Sequence, residues 1–184
     1  MDLARAAVLA AGWGTWGAFA VCMRCYFRRA RDPHPAKRRL TRWAFACTLA
    51  DLVVLTLPGP PGRLAAWAGV GGYAAAQGLF WWALAAHGRR RPAFAGVPVA
   101  PAAFVRAGPY RLVRHPIYTA YLLAWLAGAA ATGCPWLLLP VALMGTLYYR
   151  AARQEEDAFL NSPFAPHYRD YQRGTGMFLP RLSA

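Results

Sequence analysis

Two polar clusters stand out from an otherwise apolar chain. The first is the run Gly108-Pro109-Tyr110-Arg111-Leu112-Val113-Arg114-His115-Pro116-Ile117-Tyr118. The second begins at Glu155-Glu156-Asp157 and continues through Tyr168 and Tyr171 to Phe178-Leu179-Pro180. Those three adjacent acids belong to a total of only seven, so they are not the charge of an ordinary solvated helix face. Together the clusters suit a cationic, nucleoside-bearing ligand. Pro116 keeps the His115 junction from being an ordinary helix interior and leaves backbone groups there to bond a ligand. Tyr110 and Tyr118 are placed to stack on a base or to face a sulfonium. Glu155 or Glu156 is placed to pair with an ammonium group.

These residues must be positioned by membrane helices. Of 184 residues 58% are hydrophobic and 15% charged, well below the roughly 25% charged residues of an average soluble domain. The apolar residues fall into five runs, at about 3–27, 43–57, 64–86, 117–132 and 136–149. Such runs are too continuous for a two-layer soluble fold. The first is longer than a signal-peptide core and has its basic stretch on the wrong side for one, so it reads as a retained span. Residues 58–62 (PGPPG) form a turn by composition, and the stretch 87–108, with its three consecutive arginines, has no helical period. Only Gly133-Cys134-Pro135 separates the last two runs, which makes them an antiparallel helical hairpin. The fold predicted is all-α: a single integral membrane bundle of about five transmembrane helices, with residues 1–100 supplying less specific spans and 101–184 the ligand-binding core.

Charge gives the topology. Lys and Arg number eight in residues 24–42, six in 89–114 and five after Tyr149, against single residues, Arg5 and Arg63, in the remaining non-apolar segments. Five spans with the N-terminus outside and the C-terminus cytoplasmic therefore put nineteen of twenty-one basic residues on one side, as in a multi-pass protein of a bacterial inner membrane or its equivalent. A helix from Trp136 to Glu155 rises about 30 Å, which returns the acidic cluster to the cytoplasmic face beside the basic motif.

The motif G-P-Y-R-L-V-R-H-P-I-Y, the following E-E, the F-x-x-x-Y-x-x-Y and the closing F-L-P resemble the isoprenylcysteine carboxyl methyltransferases and the related bacterial and phospholipid methyltransferases, over about residues 102–180. The resemblance implies S-adenosylmethionine as cofactor and methyl transfer to a lipophilic small molecule or membrane lipid. It also implies a cytoplasmic pocket formed by Phe104 and Val105 of the preceding loop, Tyr110, His115, Pro116, Ile117, Tyr118 and a glutamate of the pair. Ungapped alignment on Leu160, Phe164 and Tyr168 favours Glu156 for that glutamate and keeps Glu155 open. Ala120 and Ala165 stand where the family often has glycine. Ala152 stands where prenylcysteine enzymes carry a carboxylate-holding arginine, so Arg150 and Arg153, which flank it, and Arg114 of the motif are the candidates for orienting the acceptor, whether or not it is a carboxylate.

Other features are read more plainly. Asp51 and Gln77 lie at membrane depth, where an ionisable group is a functional candidate by default. Cys22, Cys25, Cys47 and Cys134 are scattered over apolar segments without a second pair or spaced histidines, so neither a disulfide framework nor a metal site is expected. The net charge of +14 avoids the apolar runs, so a membrane topology, not a nucleic-acid partner, accounts for it. No obligate protein partner is evident. Two rival functions are an NADPH-dependent sterol-type reductase, since such enzymes share a distantly similar C-terminal region, and a non-catalytic membrane subunit or transporter built around Asp51 and Gln77.

Overall fold

Among the described residues, five long helices follow from the apolar runs and their punctuation, and a short sixth lies beyond the last run. The computed structural model of the chain describes residues 3–25, 35–57, 62–88 and 105–181. Within these lie α1 (Leu3–Cys25), α2 (Pro35–Thr56), α3 (Arg63–Ala86), α4 (Pro116–Thr132), α5 (Leu138–Leu160) and α6 (Ala165–Gly174), with 3-10 turns at Gly108–Arg111 and Pro135–Leu137. The turn expected from residue 58 falls mostly outside the described residues, as does most of the stretch after Gly88.

Element boundaries depart from the apolar runs in an informative way. The second helix begins at Pro35, eight residues before the apolar run, because proline is preorganised for a first helical position and the basic residues after it are good helix formers. At the other end α5 runs eleven residues past Tyr149 to Leu160, carrying Glu155 and Glu156 on regular helix. Between α4 and α5, Gly133 takes the left-handed conformation (φ 64°) that closes a helix C-terminus.

Side-chain pairings across the bundle fix the helix directions. Arg5 of α1 donates to the Leu57 carbonyl past the end of α2 (2.9 Å), and Trp16 reaches Asp51, so α1 and α2 are antiparallel. Gly12 lies beside Tyr73, and Phe19 packs on Phe80 (4.5 Å between centroids), so α1 and α3 run the same way. Gly69 faces Ala131 and Gly72 faces Ala127, which sets α4 antiparallel to α3. A Cβ on Gly72 would stand 2.8 Å from that of Ala127, so the two backbones meet through small residues, as in close-packed membrane helices. Tyr118 pairs with Tyr148 and Glu155, completing the antiparallel hairpin of α4 and α5. The helices thus alternate in direction: the C-terminal ends of α1, α3 and α5 and the N-terminal ends of α2 and α4 share one end of the bundle.

The surface agrees with an apolar surrounding. Of the described helices, α1 is the one long and apolar enough to cross a membrane by length and composition. The basic start of α2, the charged end of α5 and the 17-residue length of α4 shorten their apolar stretches. Even so, Trp13, Val21, Phe45, Leu49, Val53, Trp67 and Leu139 all point outward. An exposed apolar surface on this scale marks contact with lipid or another protein.

Candidate functional site

The basic motif is built as a break between two helices. Gly108 adopts φ 58° under the end of α3, where a Cβ would stand 3.1 Å from the Trp82 Nε1, and it opens the 3-10 turn that carries Tyr110. His115 is the N-cap of α4, with Pro116 at the first helical position. The interruption expected at Pro116 is therefore present, but the backbone groups before it are not open to a ligand. The Arg114 N–H donates to the Gly176 carbonyl (2.8 Å) and the His115 N–H to the Met177 carbonyl (3.1 Å). The C-terminal segment, paired in parallel through Val113 and Gly176, has taken them. What helix geometry leaves without an intrahelical partner is the first-turn N–H groups of Ile117 and Tyr118.

The acidic cluster meets this motif, and its two glutamates do different things. Glu156 is 1% exposed and accepts from Arg114 Nε (2.7 Å), His115 Nε2 (3.1 Å) and Gln172 Nε2 (2.8 Å). Burial would push its carboxyl up; the hydrogen bonds and charges of His115 and Arg114 outweigh that and bring it down to about 2. Arg114 also donates to the carbonyls of Gln172 and Thr175, so one guanidinium joins the start of α4 to α5 and to the end of α6. Glu155 is 30% exposed, accepts from the Tyr118 hydroxyl (2.5 Å) and lies 3.6 Å from His115 Nδ1. The imidazole of His115 thus stands between the two carboxylates.

Aromatic rings wall the cluster. Tyr118 stacks with Tyr148 (centroids 4.7 Å apart, 9° between planes) and with His115 (5.5 Å, 9°), so its faces are spent on protein rings and are not offered to a base. Tyr110 meets His87 edge-on and hydrogen-bonds to its Nε2 (2.7 Å), while its carbonyl accepts from Tyr171 (2.5 Å). Burial holds the His87 imidazole below its ordinary pKa and the Tyr110 phenol above its own.

Of the residues expected at the site, Arg114, His115, Pro116, Ile117, Tyr118, Glu155 and Glu156 are brought together, and Tyr110 lies at the same end of the bundle. Val105 is half-buried just before the motif, and Phe104 lies outside the described residues. Arg150 and Arg153 are not brought in. On α5 the buried positions Met144, Tyr148, Ala151, Ala152 and Glu156 define the inner face, and at 100° per residue both arginines fall on the opposite, exposed one. Sequence reasoning missed Gln172, Thr119, His87 and Tyr148. Tyr148 was within reach, since it lies seven residues before Glu155 and so on the same stripe of the helix.

Asp51 belongs to a separate knot in the bundle interior. Its Oδ2 accepts from Trp16 Nε1 (3.0 Å) and the Tyr73 hydroxyl (3.1 Å), and Gly128 leaves room for Oδ1 where any Cβ would collide with it. Gly128 is eleven residues along α4 from Ile117, a rise of about 16 Å, so Asp51 does not join the polar cluster. Gln77 is half-buried on α3, one turn beyond Tyr73.

The polar end of the bundle thus joins the R-H-P-x-Y break to a glutamate pair. The chain belongs to the phospholipid methyltransferase family, whose profile matches residues 64–167, more than half of it. It is also similar to the cobalt-zinc-cadmium resistance protein CzcN of Cupriavidus metallidurans, 38% identical over 109 residues, which are 59% of this chain and 45% of that protein. Methanethiol S-methyltransferase 2 of Bradyrhizobium diazoefficiens is 37% identical over 92 residues, 50% of this chain and 34% of its own. Methanethiol S-methyltransferase of Pseudomonas deceptionensis is 38% identical over 74 residues, 40% and 27% respectively. The chain thus covers less than half the length of these relatives.

Proposed function

We propose that this chain is a multi-pass membrane methyltransferase that binds S-adenosylmethionine at the polar end of the bundle and methylates a lipophilic acceptor other than a carboxylate, namely a thiol or a lipid amine. The observation that carries this reading is the division of labour between the glutamates. Glu156 is 1% exposed with its oxygens on three protein donors, whereas Glu155, which also meets Tyr118 and His115, is 30% exposed and is the one of the pair that a ligand can reach. Glu155 is therefore assigned the ammonium group of the methyl donor, in place of Glu156. The first-turn N–H groups of Ile117 and Tyr118 suit the donor's carboxylate, because a helix N-terminus favours an anion. His115, held between the two acids, lines the floor.

When bound, the sulfonium supplies an activated methyl group, so the protein has no strong electrophile to build. Its residues orient the donor and exclude water, an arrangement that can be worth roughly 7 to 11 kcal/mol of the barrier. The acceptor assignment rests on the inner face of α5. Ala151 and Ala152 occupy it, and Arg150 and Arg153 point away, so a carboxylate acceptor gains no cation from this helix. Two of the relatives are named methanethiol S-methyltransferases, and a thiol acceptor agrees with those names. The basic ends gathered on one side of the bundle support a cytoplasmic site and C-terminus.

The test is isothermal titration of the purified protein in detergent micelles with S-adenosylhomocysteine and, separately, with NADPH. Binding of the first and not the second is expected, with Glu155→Gln weakening it. Binding of NADPH alone would replace this reading with the reductase one. A methylation assay offering an alkyl thiol, a lipid amine and a prenylated thioether acid should then rank the acid last.

A further inference from the structure

A methylated substrate other than a carboxylate makes a chemical demand that a carboxylate does not. An alkyl thiol or an ammonium is protonated at neutral pH and must shed that proton in the reaction. Glu156 is spent on Arg114, His115 and Gln172 and is brought down to about 2, so it is a poor base. Glu155 is assigned to the ammonium group of the methyl donor. Both ring nitrogens of His115 face carboxylates, Nε2 at 3.1 Å and Nδ1 at 3.6 Å, so neither is left to take a proton from the substrate. His167 is exposed on α6.

Among the described residues the remaining imidazole is His87, and it is held in place. It is the C-cap of α3, with its backbone N–H bonded to the Leu84 carbonyl (3.1 Å), and its Nε2 lies 2.7 Å from the Tyr110 hydroxyl. Tyr110 is fixed in turn, since the Tyr171 hydroxyl donates to its carbonyl (2.5 Å) and Gly108 sits against Trp82 of α3. With the imidazole proton on Nδ1, Nε2 accepts from the phenol. The charge of Glu155 bears on the Tyr110 hydroxyl, as does Tyr171, and Arg106 lies 5.3 Å from the Tyr171 ring centroid. The hydroxyl is thus bonded to an imidazole and lies in the field of the donor-facing carboxylate.

We propose that His87 is the terminal acceptor of the proton that the methylated substrate gives up, reached through the Tyr110 hydroxyl. The inference rests on the reading of the cluster as an S-adenosylmethionine site with a thiol or amine substrate. For a thiol, the S–H proton passes to the Tyr110 oxygen while the Tyr110 proton passes to His87 Nε2. The substrate sulfur bonds the methyl carbon, and the donor's C–S bond breaks with its electron pair left on the donor's sulfur. The positive charge lost by the sulfonium reappears on the imidazole, so the charge of the site is conserved. The C-terminal end of α3 favours a cation there. Before the step, burial favours the neutral imidazole, the form that accepts a proton.

Steady-state methylation of an alkyl thiol, a long-chain amine and a nitro-substituted aryl thiol, the last already ionised at neutral pH, tests this in the wild type, His87→Gln and His87→Ala. The glutamine amide still accepts from Tyr110, so a merely structural role would survive it. His87→Gln should lower kcat for the alkyl thiol and the amine about 100-fold, with S-adenosylhomocysteine affinity in a titration within about threefold of wild type. For the aryl thiol the loss should shrink to about threefold or less. In the wild type, kcat for the alkyl thiol should fall as pH drops below about 6.5, and this acid limb should be missing for the aryl thiol. If the Ala variant misfolds the Gln variant decides, and if both do the wild-type contrast between the two thiols decides. An equal loss for all three substrates, or no loss for the alkyl thiol and the amine, overturns the proton-acceptor role. Intact S-adenosylhomocysteine binding with turnover of none of the three also overturns it and leaves the donor site standing. A wild type that does not bind S-adenosylhomocysteine would end both readings.

Discussion

Replacing Glu156 by Gln preserves its shape and removes its charge from a place where three donors converge on it. Arg114 is only 10% exposed and would lose its ionic partner, and breaking one side of a buried pair costs about 3 to 5 kcal/mol. A second route gives a similar figure. At about 1.4 kcal/mol for each tenfold change in proton affinity, a carboxyl brought from its ordinary 4.5 to about 2 contributes about 3 kcal/mol to the folded state. Because the folded state lowers this pKa, the contribution is complete above about pH 4.5 and is lost as pH falls toward about 2. The amide retains part of the hydrogen bonding, so a net loss of about 2 to 3 kcal/mol is expected at neutral pH, or about 5 to 10 °C in melting temperature for a chain of this size. Tryptophan fluorescence melts in lipid nanodiscs at a series of pH values from 7 to 3 measure both quantities. The wild type should lose stability across the acid range, and Glu156→Gln should start lower and show a flatter acid limb. Equal melting temperatures at pH 7 together with an undiminished acid limb would refute the scaffold role given to Glu156.

Other substitutions separate the remaining parts. Glu155→Gln should leave the melting temperature within about 2 °C of wild type, because its carboxylate is 30% exposed, yet weaken S-adenosylhomocysteine binding about tenfold in a titration. Arg150→Ala and Arg153→Ala, both on the outer face of α5, should leave that affinity unchanged. Gly128→Ala drives a methyl group into Asp51 Oδ1 and should lower the melting temperature by several degrees, with Asp51→Ala in the same chain restoring part of the loss.

Much of this architecture was legible because bundle topology rests on quantities that a sequence displays directly. Apolar runs located the five long helices, and the Gly133-Cys134-Pro135 break located the hairpin whose geometry brings residues 114–118 to residues 155–156. The start of α2 was not legible, since Arg38, Arg39 and Arg42 read as a loop by charge while Pro35 made them helix. The glutamates show the deeper limit. Alignment weighed Glu156 over Glu155 by spacing alone, but their contacts depend on which face of α5 turns toward Arg114, and a one-residue step rotates a side chain by 100°. The same rotation sends Arg150 and Arg153 outward. Partners of long sequence separation, such as Gln172 for Glu156 and Thr119 for Phe178, leave no periodic mark at all.

The seam between α3 and α4 carries a consequence for traffic. Gly69 and Gly72 against Ala127 and Ala131 leave no side-chain thickness between two backbones, and an acyl or alkyl chain needs several ångströms of clearance to pass. That flank is a sealed weld. An acceptor arriving from the side must use another gap between helices, so labels or bulky residues placed along the α3–α4 seam should impair assembly without ever acting as a gate, whereas the same changes at the true portal would select among substrates by girth.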